Sequence, residues 1–250
     1  MRVSLATQCL DDCVTRVSKS DGYVTAMQLL PGADARIALF LSLWAAGQTQ
    51  CRHSVRLLSH QSDTWRVTHE TPFDTTEKRT WACNGLCISR GLLLCAALYD
   101  SNLLVALEVT SDSKSRPAGA LQFNSNIRGV CAFASSSEQL VATTHADKTV
   151  RLWRHLATAT NSGAIALEEC CRVVCERELS CIVYADVGLL VANVGGGVQL
   201  CGVDGSRIGA PIAQPQLGDA DIWCWCHVQD TVVAYDGKSA SLLILSTKTQ

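Results

Sequence analysis

Apolar residues along the chain recur in short runs separated by turn-forming residues. The clearest example covers residues 127–155, where three segments rich in β-forming residues occupy 130–133, 140–144 and 149–153. Asp147-Lys148 forms the tight connection between the last two segments, and so short a link permits only antiparallel pairing. The pattern predicts an antiparallel β-meander at the centre of the chain.

The eight residues ADKTVRLW at 146–153 closely resemble the final turn and strand of a WD repeat. In that family an Asp in the turn, a Ser or Thr in the middle strand, a Trp ending the third strand and a His between blades share hydrogen bonds. The resemblance implies that Asp147, Thr143 and Trp153 take the first three places. The sequence Phe-Asn-Ser-Asn at 123–126 stands where the family has Gly-His.

The pattern recurs in weaker form along the chain. Turns at Asp100, Asp147, Gly196 and Gly237 are spaced by 47, 49 and 41 residues, and a period of about 40–45 residues is typical of WD-type propeller blades. An earlier unit fits at residues 23–58. We therefore predict an all-β fold, a single β-propeller domain of WD40 type over residues 1–250, with blades at about 21–71, 80–124, 127–175, 179–215 and 220–250.

The two ends of the chain predict how the ring closes. The fifth unit has three strand-like segments before the last residue, whereas residues 3–10, within the lead-in at 1–20, form an extra strand-like segment. Pairing the two would protect an exposed sheet edge. We expect five four-stranded blades closed by the N-terminal strand, the alternative being an open ring that a partner completes.

Three connections and one ambiguous segment complete the prediction of the fold. Residues 71–80, 110–118 and 205–221 are expected to be irregular, and either disordered or ordered by a partner. Residues 164–179 have apolar positions at helical spacing, but an outer strand is favoured over a helix there.

Composition narrows the class of protein. About half of the residues are apolar and the formal net charge is −2, which provides a sizeable core without a generally basic surface. The longest apolar run, at 37–46, is about half of a membrane span, and the N-terminal residues do not match a signal peptide. We expect a soluble cytoplasmic or nuclear protein that is not secreted. The fourteen cysteines lack paired Cys-x-x-Cys spacing, so buried reduced thiols are expected rather than a metal site.

The sequence contains no Gly-x-Ser-x-Gly, Walker or His-Glu-x-x-His motif. The glycines at 195–197 lack the Lys-Ser/Thr of a phosphate loop and are predicted to form a strand-to-strand turn with positive φ. We predict no catalytic residue, no metal ligand, no cofactor and no small-molecule substrate. The protein is expected not to be an enzyme.

In a propeller the loops gather on two faces, and loops carry specificity. The main functional prediction is a protein-interaction scaffold, a subunit of a larger macromolecular assembly that does not bind membranes. The residues expected to form its partner surface are Tyr99, Asn126, Arg128, His145, Arg177, Asp221, Trp223 and Tyr235.

Two alternatives remain open. Arg52, His53, Arg56 and Arg66 form a basic cluster that could contact RNA or an acidic partner, as in a non-catalytic subunit of an RNA-processing or RNA-modifying complex. The other alternative is a propeller enzyme with a site in its central channel.

Overall fold

A computed structural model describes the chain at residues 22–30, 36–44, 51–61, 64–73, 85–89, 92–96, 102–109, 114–134, 138–156, 165–185, 188–204, 222–228, 231–236 and 241–246. These residues form β-strands joined by turns and loops, arranged in five antiparallel sheets. None of them belongs to a helix long and apolar enough to cross a membrane.

The sheets follow one another along the chain, and each is a meander in which consecutive strands pair. Sheet 1 contains β1 (Gly22–Leu30), β2 (Arg36–Trp44), β3 (Cys51–Gln61) and β4 (Thr64–Phe73). Sheet 2 contains β5 (Gly85–Ser89), β6 (Leu92–Ala96), β7 (Leu103–Val109) and β8 (Ser115–Gln122). Sheet 3 contains β9 (Ile127–Ala134), β10 (Gln139–His145), β11 (Thr149–His155) and β12 (Leu167–Val174). Sheet 4 contains β13 (Leu179–Ala185), β14 (Gly188–Asn193) and β15 (Val198–Cys201). Sheet 5 contains β16 (Ile222–Val228), β17 (Thr231–Asp236) and β18 (Ser241–Ser246).

The first strands of consecutive sheets are neighbours in space, so that β1, β5, β9, β13 and β16 follow one another. Apolar side chains fill the space between sheets. Phe40 of sheet 1 packs with Leu93 of sheet 2, and Leu152 of sheet 3 packs with Leu189 of sheet 4. Sheets stacked in this way around their first strands form a propeller-like arrangement, which confirms the predicted all-β class.

The predicted closed ring of five four-stranded blades is wrong in its details. Three of the sheets have four strands, whereas sheets 4 and 5 have three each within the described residues, and no ring closure is present there. The predicted closing strand at 3–10 lies outside the described residues. Turn spacing locates sheets along a chain, but it does not fix how many strands each sheet has or whether the first and last sheets meet.

Two connections that were expected to be irregular contain strand residues. β4 extends through Phe73 and β8 begins at Ser115, because these two outer strands are joined. The hydroxyls of Thr71 and Ser115 form a short, buried hydrogen bond, and His69 Nε2 lies 3.0 Å from the Ser115 carbonyl oxygen. The third connection, 205–221, lies outside the described residues. The ambiguous segment at 164–179 contains β12, which confirms the strand.

The cysteine side chains described in the structure are free thiols. Burial raises the pKa of Cys131 to about 12, which keeps that thiol protonated and unreactive. Cys170 is exposed and Cys171 is half-buried. The predicted burial is confirmed at Cys87, Cys131, Cys175, Cys181 and Cys201.

Candidate functional site

One edge of the sheets carries the described turns that join the second strand to the third in sheets 3 and 4. In each meander the first strand begins, the second ends and the third begins at this edge, and the fourth strand also ends there. The described turns and loops at this edge occupy residues 123–126, 146–148, 175–178 and 194–197. We call this surface the turn face.

Backbone hydrogen bonds join each turn to the loop beside it. In sheet 3 the amide of Ala146 donates to the carbonyl of Asn126, and in sheet 4 the amide of Val194 donates to that of Glu178, both at 2.8 Å. The amide of Cys175 donates to the carbonyl of Lys148, also at 2.8 Å. Because the same bond recurs from sheet to sheet, the turn face has a fixed backbone.

The turns themselves need residues with positive φ. Gly195, Gly196 and Gly197 have φ of 76°, 111° and 93°, which confirms the predicted strand-to-strand turn. A Cβ at Gly195 would meet no atom within 4 Å, so the turn is open on that side. Lys148 also adopts a positive φ of 64°, a conformation that favours glycine and that few other residues adopt.

A chain of buried hydrogen bonds lies directly beneath the turn at 146–148. Trp153 Nε1 donates to Thr143 Oγ1 at 2.7 Å, and that hydroxyl lies 2.8 Å from His145 Nε2. On its other side, His145 Nδ1 lies 3.2 Å from the carbonyl oxygen of Ser125. A carbonyl can only accept, so Nδ1 carries the proton and Nε2 accepts from Thr143. Every polar atom in this chain therefore has a partner when His145 is neutral.

The environment of His145 keeps its imidazole neutral. Burial, followed by the positive charge of Arg151, lowers the pKa of His145 to about 4, despite opposing contributions from Ser125, Asp147 and Glu169. A second proton on Nε2 would face the proton that Thr143 donates, so the hydroxyl would have to turn and accept from both His145 and Trp153. The protonated form is disfavoured both by desolvation and by the direction of the hydrogen bonds.

Asp147 organises the turn above this chain. Its carboxylate accepts hydrogen bonds from the backbone and hydroxyl of Thr149 and forms an ion pair with Arg151, whose side chain is almost fully buried. Although burial alone would raise the pKa of Asp147, these hydrogen bonds and the Arg151 charge hold it below the usual value. Of the three residues that the WD-repeat resemblance singled out, Thr143 and Trp153 are bonded directly, while Asp147 bonds to Thr149 and Arg151 instead.

The strand register shows which residues stand at the same positions in sheet 4. Thr144 pairs with Val150 in sheet 3, and Ala192 pairs with Val198 in sheet 4. In sheet 4 the positions of Thr143 and Trp153 are therefore occupied by Val191 and Cys201, which are buried and apolar. The positions of His145 and Arg151 are occupied by Asn193 and Gln199, whose polar side chains are hydrogen-bonded to each other.

The structure distributes the predicted partner residues over several environments. Asn126 and Arg128 are half-buried beside the start of β9, and Arg177 is exposed on the turn face. His145 is a correction: it is completely buried, because alternation along β10 turns it to the same side as Thr143. Its side chain is not available as a surface contact. Tyr99 and Asp221 lie outside the described residues, and Trp223 and Tyr235 lie in β16 and β17, with side chains outside the description.

Alternation along the chain does not predict the β-bulges that occur in four of the first strands. In β9, Ile127 pairs with His145 and Gly129 with Thr144, which leaves Arg128 as an extra residue. The same register shift occurs in β1, β13 and β16, and leaves one extra residue in each strand. Those residues are Thr25, Ser180 and Trp223.

The basic cluster lies on β3 and β4 of sheet 1. Arg56 Nε forms an ion pair with Glu70 at 2.8 Å, and the pKa of Glu70 is lowered because hydrogen bonds from Arg56 and Ser54 outweigh the effect of burial. Arg66 is exposed. Arg52 and His53 lie in β3, with side chains outside the description.

The described side chains include no group of three or more His, Cys, Asp or Glu arranged to hold a metal ion. Neither the known protein families nor the characterised proteins include a match to this sequence.

Proposed function

We propose that this protein is a non-catalytic interaction scaffold, a cytoplasmic or nuclear subunit of a larger assembly, and that it binds protein partners through the turn face. The observation that carries the proposal is the repeated hydrogen bonding of turn to loop, from Ala146 to Asn126 and from Val194 to Glu178. A backbone fixed in this way presents its side chains in one arrangement before a partner arrives, which reduces the entropy lost on binding.

The side chains on this face suit recognition of a protein surface. Lys148, Glu176, Arg177 and Glu178 are all exposed there, and they lie on a rigid scaffold of strands, as binding residues commonly do. Charges of both signs favour a specific partner with a complementary pattern, rather than any highly charged polymer.

We further propose that sheet 3 is a blade of WD-repeat type. The hydrogen-bond chain from Trp153 through Thr143 to His145 supports this assignment. In this proposal His145 takes the role that the family gives to a histidine between blades.

The test compares one charge reversal on the turn face with one on the opposite edge. Arg177→Glu changes an exposed residue of loop 175–178, whereas Lys114→Glu changes an exposed residue immediately before β8, where the opposite edge lies. The tagged full-length chain is purified from cells after lysine cross-linking, and the cross-linked partners are quantified by mass spectrometry.

We expect cross-links from partners to Lys148, and about tenfold lower recovery of those partners with Arg177→Glu, corresponding to the loss of one charge-assisted contact. Lys114→Glu should recover them at the wild-type level. Cross-links that map to Lys114, or equal recovery with both variants, would contradict the proposal.

The RNA-binding alternative receives less support from the geometry. Arg56 is neutralised by Glu70 at 2.8 Å, so the basic cluster presents less positive charge than its sequence suggests. If RNA were nevertheless bound there, the affinity for a single-stranded RNA would fall steeply with salt and with Arg66→Ala.

A further inference from the structure

The turn between the second and third strands of sheet 4 repeats a backbone bond of the corresponding turn of sheet 3. The amide of Lys148 donates to the carbonyl of His145 at 3.1 Å, and the amide of Gly196 donates to the carbonyl of Asn193 at 3.3 Å. The strands on either side of the turn are paired in the same register in both sheets. Each residue of the sheet 3 turn therefore has a counterpart in sheet 4.

The counterparts of Asp147 and Thr149 are Gly195 and Gly197, so sheet 4 lacks the side chains that occupy the turn of sheet 3. The Asp147 carboxylate accepts from the Thr149 hydroxyl and forms an ion pair with Arg151. A Cβ at Gly195 would meet no atom within 4 Å, and one at Gly197 would meet a single side-chain atom, 3.4 Å away. The turn of sheet 4 therefore has room for a side chain from another molecule.

Gln199 follows this turn in β15 and is the counterpart of Arg151. It faces the same side as Gly197, two residues earlier in the chain, and it is only 7% exposed. Asn193 Nδ2 donates to the Gly197 carbonyl at 3.2 Å, so Asn193 Oδ1 is the acceptor for Gln199 Nε2, at 3.0 Å.

These two bonds fix the orientation of the Gln199 amide and leave its other polar atom unsatisfied. Gln199 Oε1 is buried and accepts no hydrogen bond within the part of the chain that the structure describes. Buried polar atoms in folded proteins are nearly always paired. An oxygen of this kind beside an open turn is suited to a donor that a ligand supplies.

The residues beside the turn favour a positively charged donor. Val194 is 50% exposed, and its side chain offers apolar surface to the aliphatic part of a lysine or arginine. Its amide donates to the carbonyl of Glu178 at 2.8 Å, which holds the exposed Glu178 next to the turn. Loop 175–178 carries two carboxylates and one guanidinium, so the loop is acidic overall.

We propose that the turn at Gly195–Gly197 is a binding site for a lysine or arginine side chain of a protein partner. The cationic group donates to Gln199 Oε1 and pairs with the Glu178 carboxylate, while its aliphatic part packs on Val194. This inference rests on the proposed function and names one binding site on the turn face and its ligand.

The test selects ligands without assuming a partner. A random library of twelve-residue peptides, displayed on phage, is selected against the folded full-length chain, and enriched peptides are synthesised with a fluorescent label. Their affinities are measured by fluorescence anisotropy for the wild type and for variants of the site, and thermal melting checks that each variant is folded.

Three variants alter the site and one serves as a control. Gly195→Asn fills the turn with a residue that tolerates positive φ, Gln199→Met removes the unpaired oxygen, and Glu178→Gln removes the charge. The control Val203→Asn introduces the same side chain at an exposed valine beyond the far end of β15, away from the turn face.

We expect Lys or Arg at one fixed position of the enriched peptides, and affinity lowered about tenfold or more by Gly195→Asn and by Gln199→Met. Glu178→Gln should lower the affinity about two- to fivefold, as is typical of an exposed ion pair, but should have no effect on a peptide whose cation is replaced by methionine. Val203→Asn should bind as the wild type does.

Enriched peptides without a fixed cation, the absence of enriched peptides, or unchanged affinity for Gly195→Asn and Gln199→Met would overturn the inference. The cross-linking comparison of Arg177→Glu with Lys114→Glu tests the interaction role separately, so either proposal can fail without the other.

Discussion

Thr143 occupies the middle of the buried hydrogen-bond chain in sheet 3. Its hydroxyl accepts from Trp153 and donates to His145, and all three residues are buried, which restricts the access of water to a group that loses its partner. An unpaired buried polar atom costs about 1–3 kcal/mol. Removing the Thr143 hydroxyl would leave Trp153 Nε1 and His145 Nε2 without this hydrogen-bond partner.

We therefore predict that Thr143→Val lowers the free energy of unfolding by about 2 kcal/mol, since the substitution preserves the shape of the side chain but deletes the hydroxyl. Urea unfolding followed by tryptophan fluorescence measures the change. Thr68→Val is the matched control, because Thr68 is exposed and its hydroxyl donates to the carbonyl of Leu57. A loss no greater than that of the control would show that the chain contributes nothing to stability.

His145 should make stability depend on pH. Its pKa is about 4 in the folded protein and near 6.5 in the unfolded chain, so the unfolded chain binds the proton more tightly between these values. The contribution of His145 to stability is complete above pH 6.5 and is lost as the pH falls towards 4, by at most about 3 kcal/mol.

This dependence is measured by urea unfolding at pH 4.5, 5.5 and 7, for the wild type and for His145→Asn. Asparagine cannot titrate, and Asn193 already occupies the equivalent position in sheet 4. The difference in free energy between the two proteins should shift in favour of the wild type as the pH rises. A difference that does not vary with pH would contradict the burial of a neutral His145.

The two-residue spacing of Thr143 and His145 indicates a hydrogen bond that our prediction did not include. Thr143 and His145 are two positions apart in a strand, so they face the same side, and a hydrogen bond between them was available from the pattern alone. The WD-repeat resemblance instead implies a histidine at 123–126, where this chain has Phe-Asn-Ser-Asn. In the structure that loop contributes the Ser125 carbonyl to the same chain.

At the scale of strands, the outer strands reveal a repeat that the sequence conceals. In sheets 1, 2 and 3 the register between the third and fourth strands shifts by one residue. The extra residues, all in the fourth strands, are Thr68, Ala118 and Cys170. The side chains of Thr68 and Cys170 donate to carbonyls of the neighbouring third strand, at Leu57 and Leu152. The three residues are of different types, so the bulge that they share cannot be recognised from the sequence.

Alternation predicted the inner strands well and the outer strands poorly. The segments predicted at 140–144 and 149–153 lie within β10 and β11. β4 and β8 were not predicted as strands, because Pro72 lies in β4 and Pro117 in β8, and because both strands face solvent for much of their length. Proline is tolerated in outer strands, where an amide is not needed for pairing, so its presence there did not exclude a strand.

The bulges could not be predicted from alternation at all, since they are departures from it. Arg128 and Trp223 were selected as partner residues from strand order, and the structure places both at bulges. Thr25 and Ser180 were not selected, because small hydroxyl residues in a strand carry no distinctive signal. Recognising them requires the register of several sheets at once.

Gly129 sets the distance between β9 and β13. A Cβ there would lie 3.1 Å from the Cα of Cys181, 3.1 Å from the amide nitrogen of Ile182 and 3.0 Å from Thr144 Oγ1. Because two of these atoms belong to the backbone of β13, that backbone would have to shift by a few tenths of an ångström.

We predict that Gly129→Ala destabilises the protein by about 1–3 kcal/mol through overpacking, against the usual gain from replacing a glycine in a strand. Thermal or urea unfolding provides the measurement. Ala134→Val, at the exposed end of the same strand, adds carbon where there is room and should change stability little. Equal stability of Gly129→Ala and the wild type would mean that the two strands do not approach so closely.

At the scale of the whole molecule, neighbouring sheets are held together by different contacts at each joint. Sheets 2 and 3 are joined by a buried hydrogen bond of 2.7 Å between Ser89 Oγ and His155 Nδ1, and sheets 4 and 5 by Ser180 and the Ile222 carbonyl. Each neighbouring pair of sheets also shares a cluster of apolar side chains, which is made of different residues from one pair to the next. Such joints repeat the geometry of packing without repeating residues, which explains why the sequence period is weak outside residues 127–155.

The packing between sheets 3 and 4 leads us to predict that the two sheets unfold cooperatively. Phe133 of β9 and Tyr184 of β13 are stacked, with ring centroids 4.6 Å apart and planes at 10°, and both contact the core cluster that contains Leu152 and Leu189. Because the two sheets share this core, we expect Tyr184→Ala to lower the stability of both by about 2–4 kcal/mol. Hydrogen exchange with mass spectrometry should detect faster exchange in β9–β11 as well as in β13–β15.

Val174→Ala, at an exposed position of β12, is the control and should leave exchange unchanged. Faster exchange confined to β13–β15 would mean that the sheets unfold independently, as the units of a repeat protein can do when their interfaces are weak.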